Sequence, residues 1–140
     1  MTERTSVSVV VPILNGAETI GDTLCGLLHQ SKKPKDLEII VVDNGSTDNT
    51  VEIVKRFDVT LLREEKQSPG AARNRGLRAA CGQIIVHLDA DTLPARTWLS
   101  ELLKPFGDPA VVLVGGRTLA FLPKTQAERY VAGSGIYDPE

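Results

Sequence analysis

"VSVVVPILNG", residues 7–16, decides the class of fold. The run from 7 to 14 is apolar and β-branched, and it stops at the turn pair Asn15-Gly16. A strand with one wet face alternates apolar and polar residues. A run without that alternation reads as a strand covered on both faces, as in a parallel sheet between helices. "LEIIVVD" (37–43), "VTLLRE" (59–64) and "QIIVHLD" (83–89) are strands of the same kind, and "AVVLVGGRTL" (110–119) reads as a fifth.

Helical segments fill the intervals. "AETIGDTLCGLLHQS" has apolar residues at Ile20, Leu24, Leu27 and Leu28, which is helical spacing. "TVEIVKRF" is a short helix with Ser46 or Thr47 as its cap and Asp48 in its first turn. "SPGAARNRGLRAACG" is capped by Ser68, has Pro69 at its first position, and runs to Gly82. "LPARTWLSELLKPF" reads as a helix, and "TQAERYVAGS" begins another. Strand and helix alternate throughout, so the expected fold is an α/β layered sheet with parallel strands joined by right-handed crossovers.

A chain of 140 residues suits one domain over 1–140. Apolar and charged fractions of 41% and 24% exclude a disordered chain. A net charge of -2 argues against a nucleic-acid partner. Cys25 and Cys81 cannot form a disulfide framework and are expected as buried free thiols. No stretch reaches the roughly 20 apolar residues of a membrane span, and "MTERTS" lacks the plan of a signal peptide. A cytoplasmic protein is expected, with peripheral association at the membrane face open to it.

In such sheets ligands bind at the carboxyl ends of the strands. There the first strand delivers Pro12, Leu14 and Asn15, the second Asp43, and the fourth Asp89 and Asp91. Residues i and i+2 of a strand share a face, so the two aspartates are expected to aim at one point. Two facing carboxylates without a cation would repel, and one would stay protonated. A hard cation, Mg²⁺ or Mn²⁺, removes that repulsion and keeps positions for substrate phosphates. Asp43 can accept from a ribose hydroxyl or a base N–H, or can form an Asx-turn within "DNGS". Arg73 can pair with a phosphate or with the aspartates. His87 is either a packed histidine or a third metal ligand.

These stretches resemble the nucleotide-sugar-binding half of inverting family 2 glycosyltransferases, which have the three-layer, Rossmann-like GT-A fold. "VSVVVPILNGAETI" is similar to their first strand and helix. "EIIVVDNGSTDNTVEI" matches their D-x-G-S-x-D-x-T stretch, "GAARNRG" their ARN-x-G helix and "GQIIVHLDADT" their strand ending in D-x-D. The resemblance implies that Pro12, Leu14, Asn15 and Asp43 line a nucleoside pocket. It puts Arg73 beside the sugar-nucleotide, and Asp89 and Asp91 at the metal-diphosphate. The family often has an aromatic residue where Leu14 stands and an acidic one where Gly16 stands.

Inversion needs a carboxylate that deprotonates the acceptor hydroxyl. In the family that base and the acceptor site lie beyond the point where this chain stops. Glu128 and Asp138 are acids that nothing in the sequence places. The expectation is a donor-binding half with its acceptor part truncated, which binds a nucleotide-diphospho-sugar and transfers poorly or not at all. The acceptor, whether glycan, lipid or small molecule, is not encoded. Self-association into a homo-oligomer through an exposed sheet edge is expected of such a half. Two rival readings are a non-catalytic nucleotide-sugar-binding module and a haloacid-dehalogenase-like phosphatase. The latter needs threonine where Leu93 stands.

Overall fold

The computed structural model describes residues 6–119. Its elements in chain order are β1 (Val7–Ile13), α1 (Ile20–Leu28), β2 (Leu37–Asp43), α2 (Thr50–Val54), β3 (Thr60–Arg63), α3 (Pro69–Ala79), β4 (Ile84–His87) and α4 (Trp98–Leu103), followed by a 3-10 turn, Lys104–Gly107. The four strands form one sheet of order β3-β2-β1-β4, and each pairing is parallel. β1 has its sequence neighbour β2 on one side and β4 on the other. The chain therefore leaves β1 in one direction and returns on its far side. That reversal is the Rossmann-like switch point, and it opens a crevice at the carboxyl ends of β1 and β4.

Both faces of the sheet are covered, as the apolar runs imply. Val9, Val11, Ile39 and Val41 point to one face and Val10, Ile40 and Val42 to the other, and all are buried. Ala72 of α3 packs on Val10, Ile40 and Val42, with Leu62 and Ile85 beside them. A Cβ on Gly76 would lie 2.3 Å from Val10 Cγ1 and 3.2 Å from Val42 Cγ2, so α3 rests on the sheet at a distance only glycine allows. Ile20, Leu24 and Leu27 of α1 and Val54 of α2 are also buried. Each such side chain contributes roughly 1.5–3 kcal/mol by leaving water.

One polar residue inside β1 has a structural role that the apolar pattern hides. Ser8 is fully buried, donates to Glu38 Oε2 at 2.6 Å and accepts from the Gly82 N–H at 2.8 Å. Glu38 Oε2 also accepts from the Cys81 N–H at 3.1 Å. The chain leaving α3 is thereby tied to the amino ends of β1 and β2.

Several boundaries differ from expectation, each for a local reason. β4 ends at His87, so Asp89 and Asp91 lie in the turn beyond it and not on a strand. α3 ends at Ala79, because Cys81 and Gly82 spend their amides on Glu38 and Ser8. α2 begins at Thr50 as expected but ends at Val54, short of Phe57, and Ser46 and Thr47 bond to Asn15 instead of capping it. The expected helix from Leu93 begins only at Trp98, because the carbonyls of Ala95 and Arg96 are held by Gln30 and Ser31. Residues 111–119 have no regular structure, against the expected fifth strand. An apolar run becomes a strand where a partner edge and a covering surface receive it, and Val112 and Leu113 are 88% and 86% exposed. Cys25 and Cys81 are free but exposed, not buried. Cys25 lies on the outer face of α1, between the inward Leu24 and Leu27. The expected helix at "TQAERYVAGS" lies outside the described residues, as do Glu128 and Asp138.

The chain divides into two compact units, Met1–Ser100 and Glu101–Glu140. The first holds the sheet with α1, α2 and α3. In the second, Lys104 pairs with Glu101 at 2.6 Å. No helix among the described residues is long and apolar enough to cross a membrane.

Candidate functional site

The loop after β1 is shaped by the loop after β2. Asn15 stands at φ 50, a left-handed conformation that asparagine tolerates better than most residues. Three consecutive amides then point at side chains some thirty residues away. Asn15 N–H donates to Ser46 Oγ at 2.8 Å, Gly16 N–H to Thr50 Oγ1 at 2.9 Å and Ala17 N–H to Asp48 Oδ2 at 3.1 Å. In return Asn15 Oδ1 accepts from the Thr47 N–H at 2.8 Å. Side chains of "STDNT" thus satisfy donors that would otherwise face solvent at the start of α1. A Cβ on Gly16 would lie 2.6 Å from Ile13 Cδ1, so any larger residue there must displace Ile13.

Asp48 Oδ1 also accepts from the Thr50 hydroxyl and, at 3.0 Å, from the Thr50 N–H. The Thr50 hydroxyl is the largest influence holding the Asp48 carboxyl below its ordinary value of 3.8; partial desolvation opposes it and the amides of Thr50 and Ala17 reinforce it. A lowered carboxyl contributes its bonds at neutral pH and loses them only as the pH falls through the lowered value. An NMR titration is expected to show the Asp48 carboxyl and the Ala17 amide moving together, with a midpoint below 3.8.

Asp43 ends β2 inside the protein, 3% exposed. Its carboxylate accepts from the Gly45 N–H at 3.3 Å and the Ser46 N–H at 3.2 Å, an Asx-turn. Gly45 stands at φ 95, where a side chain would be strained. Asn44, to which the sequence assigns no role beyond ending the strand, is 4% exposed. It donates to the carbonyls of Glu64 and Lys66 at 3.0 and 2.8 Å and accepts from the Ser68 N–H at 2.9 Å. It therefore fixes the approach to α3 and, through that helix, Arg73. Its signal in the sequence was a second amide-bearing residue in a short turn, which local turn chemistry alone explains equally well.

Arg73 reaches across to Asp89, with Nη2 to Oδ1 at 2.9 Å, in a pair whose side chains are 42% and 65% exposed. His87 shares the α3 side of the sheet and is exposed, which departs from the packed-histidine alternative. Partial burial is the largest effect lowering its pKa, the Arg73 charge adds to it, and Asp89 opposes both. His87 is accordingly neutral at pH 7. Asp91 is exposed and has no hydrogen bond or ion pair among the described residues.

An open cleft of about 490 Å³ occupies the crevice at the switch point. Its walls are Pro12, Ile13, Leu14, Asn15, Gly16, Glu18, Thr19 and Asp48 on one side and Ala90 and Asp91 on the other. The structure thus brings Pro12, Leu14 and Asn15 together with Asp91. Asp43, Arg73 and Asp89 stand behind or beside this wall and do not line it. Among the described residues no three His, Cys, Asp or Glu side chains gather as a metal cage. Two carboxylates on one turn do fit Mg²⁺ or Mn²⁺ when phosphate oxygens and water supply the other positions. The carboxylates of this turn are Asp91, at the cleft and without a partner among the described residues, and Asp89, engaged by Arg73.

The family model described as "Glycosyl transferase family 2" matches residues 8–134. Glycosyltransferase AglE of Haloferax volcanii is 37% identical over 132 residues, covering 89% of this chain and 43% of that protein. Mannosyltransferase PcManGT from Pyrobaculum calidifontis, solved in complex with GDP-Man and Mn²⁺, has a TM-score of 0.72 and 38% identity over 79% of this chain and 34% of its own. Glucosyl-3-phosphoglycerate synthase of Mycobacterium tuberculosis, solved with Mn²⁺, UDP and glucosyl-3-phosphoglycerate, has a TM-score of 0.61 and 28% identity over 73% and 39%. The chain spans less than half the length of each of these relatives. The family match runs through both walls of the cleft, from the tip of β1 to the acidic turn, and the chain belongs to glycosyl transferase family 2, with its GT-A-like fold.

Proposed function

We propose that this chain binds the nucleotide-diphospho-sugar donor for an inverting, metal-assisted glycosyl transfer. The observation that carries the reading is the cleft, which sets the apolar surface of the β1 tip opposite Asp91, whose carboxylate has no partner among the described residues. A nucleoside fits the first wall and a cation-bound diphosphate the second. Pro12 and Leu14 offer apolar surface to the base, with Leu14 half exposed and therefore available. Asn15, held by Thr47 and Ser46, keeps the shape of this wall. Asp43 acts from beneath, where its Asx-turn holds the loop 44–46 that supports Asn15.

Asp89 and Asp91 would hold Mg²⁺ or Mn²⁺, which when bound neutralises charge on the departing diphosphate. Arg73 leaves Asp89 at little cost, since an exposed ion pair is worth about 0–1 kcal/mol. Its guanidinium then suits a phosphate, which it can grip through parallel N–H donors. The chain is assigned the leaving-group side of the reaction. The acceptor class, glycan, lipid or small molecule, stays outside it.

The relatives solved with GDP-Man or UDP and Mn²⁺ support the reading. A thermal-shift screen of GDP, UDP and their sugars, with Mn²⁺ and with EDTA, tests it. A ligand present at 100 times its dissociation constant stabilises by about 2.7 kcal/mol. A Mn²⁺-dependent rise in melting temperature with one of these nucleotides is the expected result. No shift with any nucleoside diphosphate would remove the proposal.

A further inference from the structure

Helix α1 and the residues just past its end carry non-apolar side chains on the inner side, and each meets the segment that follows β4. Thr23 and Gly26 are three residues apart on one face of α1, and Gln30, two residues past its end, donates to the Gly26 carbonyl at 3.0 Å. A Cβ on Gly26 would lie 3.0 Å from Cγ and Cδ of Pro94, so helix and segment are in close contact. Gln30, buried, donates to the Ala95 carbonyl at 2.8 Å and accepts from the Leu99 N–H at 2.9 Å. Thr23 is 2% exposed, and its hydroxyl lies 2.9 Å from the Ala90 carbonyl and 3.3 Å from that of Thr19. A hydroxyl has one proton to donate, and the shorter contact, to Ala90, spans 67 residues of chain.

We propose that Thr23 is a positioning residue for the acidic turn, acting on Asp91 through the Ala90 carbonyl. The inference rests on the reading of that turn as the metal-diphosphate site. The Ala90 carbonyl belongs to the planar peptide unit that leads into Asp91. Holding its oxygen fixes the plane from which the Asp91 side chain departs. Asp91 has no partner of its own among the described residues. Within the turn, Thr92 N–H closes back on the Asp89 carbonyl at 3.1 Å, which shapes the turn without attaching it to α1. Thr23 supplies that attachment, and because it is buried the bond is shielded from water.

Thr23→Val keeps the shape and removes the proton donor, whereas Thr23→Ser keeps the donor. Binding of GDP and UDP to the 140-residue chain is measured by calorimetry with Mn²⁺ and with EDTA. The Val variant is expected to lose roughly ten-fold in Mn²⁺-dependent affinity, the scale found when an outer-shell partner of a metal ligand is removed. Its affinity in EDTA is expected to stay at the wild-type value, and Thr23→Ser is expected to restore Mn²⁺-dependent binding. Thr23→Ala, which also lacks the hydroxyl, serves if the Val variant does not fold. Unchanged Mn²⁺ dependence in the Val or Ala variant overturns the inference. So does equal loss with and without Mn²⁺, or a Ser variant as weak as Val. A wild-type chain with no Mn²⁺-dependent binding overturns the functional proposal, and this inference with it.

Discussion

Asp91→Ala is expected to weaken Mn²⁺-dependent binding of a nucleoside diphosphate by at least roughly 100-fold, the upper end of what losing a mere outer-shell partner costs a metal site. The cation in the proposed site has two protein carboxylates, and one of them, Asp89, is already shared with Arg73. Without Asp91 a single protein carboxylate is left to hold the metal, and it must first be released by Arg73. Asp91→Asn tests charge against shape, since the amide keeps the volume but not the anion, and it is expected to behave like Ala. Neither change should unfold the protein. Asp91 is exposed and unpartnered among the described residues, and such surface substitutions fall within about 0.5 kcal/mol. Calorimetric titration of Mn²⁺ with GDP and with UDP, alongside urea unfolding, separates the two effects. Wild-type affinity in the Ala variant would mean that the metal is held elsewhere.

The largest loss of stability is expected from Gly82→Ala. A Cβ there would lie 2.4 Å from the backbone nitrogen of Ser8 and 2.8 Å from both Ser8 Oγ and the Val7 carbonyl carbon. Two of these are backbone atoms of β1, which is locked between β2 and β4 and cannot yield as a side-chain tip can. Relief would require the Gly82 N–H to leave Ser8 Oγ, loosening the Ser8–Glu38 pair that anchors the end of α3. Overpacking alone costs about 1–3 kcal/mol, and a disturbed buried hydrogen bond adds roughly 1 kcal/mol. A domain of this size has about 5–15 kcal/mol in all. The urea midpoint should therefore fall markedly. Gly107→Ala is the control: its added Cβ meets nothing within 4 Å, and the midpoint should not move. A Gly82→Ala midpoint equal to wild type would show that the α3–β4 connection is not packed against β1.

Much of the site was legible because its residues sit at strand tips, and strand tips are marked locally. Asn15-Gly16, Asp43-Asn44 and the aspartates after β4 each end an apolar run. The geometry inferred for the last pair did not hold. Strand alternation was extended to Asp89 and Asp91, but pairing to β1 carries β4 only to His87. Beyond it Thr92 closes a turn onto Asp89, so the two carboxylates share a turn and not a strand face. Ser46 and Thr47 were read as helix caps because their type favours caps. The amides presented by the β1–α1 loop lie some thirty residues earlier in the chain, and no local window contains them. Thr23 looked like an ordinary helical residue for the same reason.

The sequence by itself determined the class of layer, since unbroken β-branched runs can be buried only in a sheet covered on both sides. Tertiary structure alone decided the strand order, and with it the crevice between β1 and β4. It likewise decided which polar side chains serve the site, and it left residues 111–119 without a strand. The reason is one of range: periodicity reports what a segment buries against its immediate surroundings, whereas order and long-range hydrogen bonds depend on which distant segments arrive beside it.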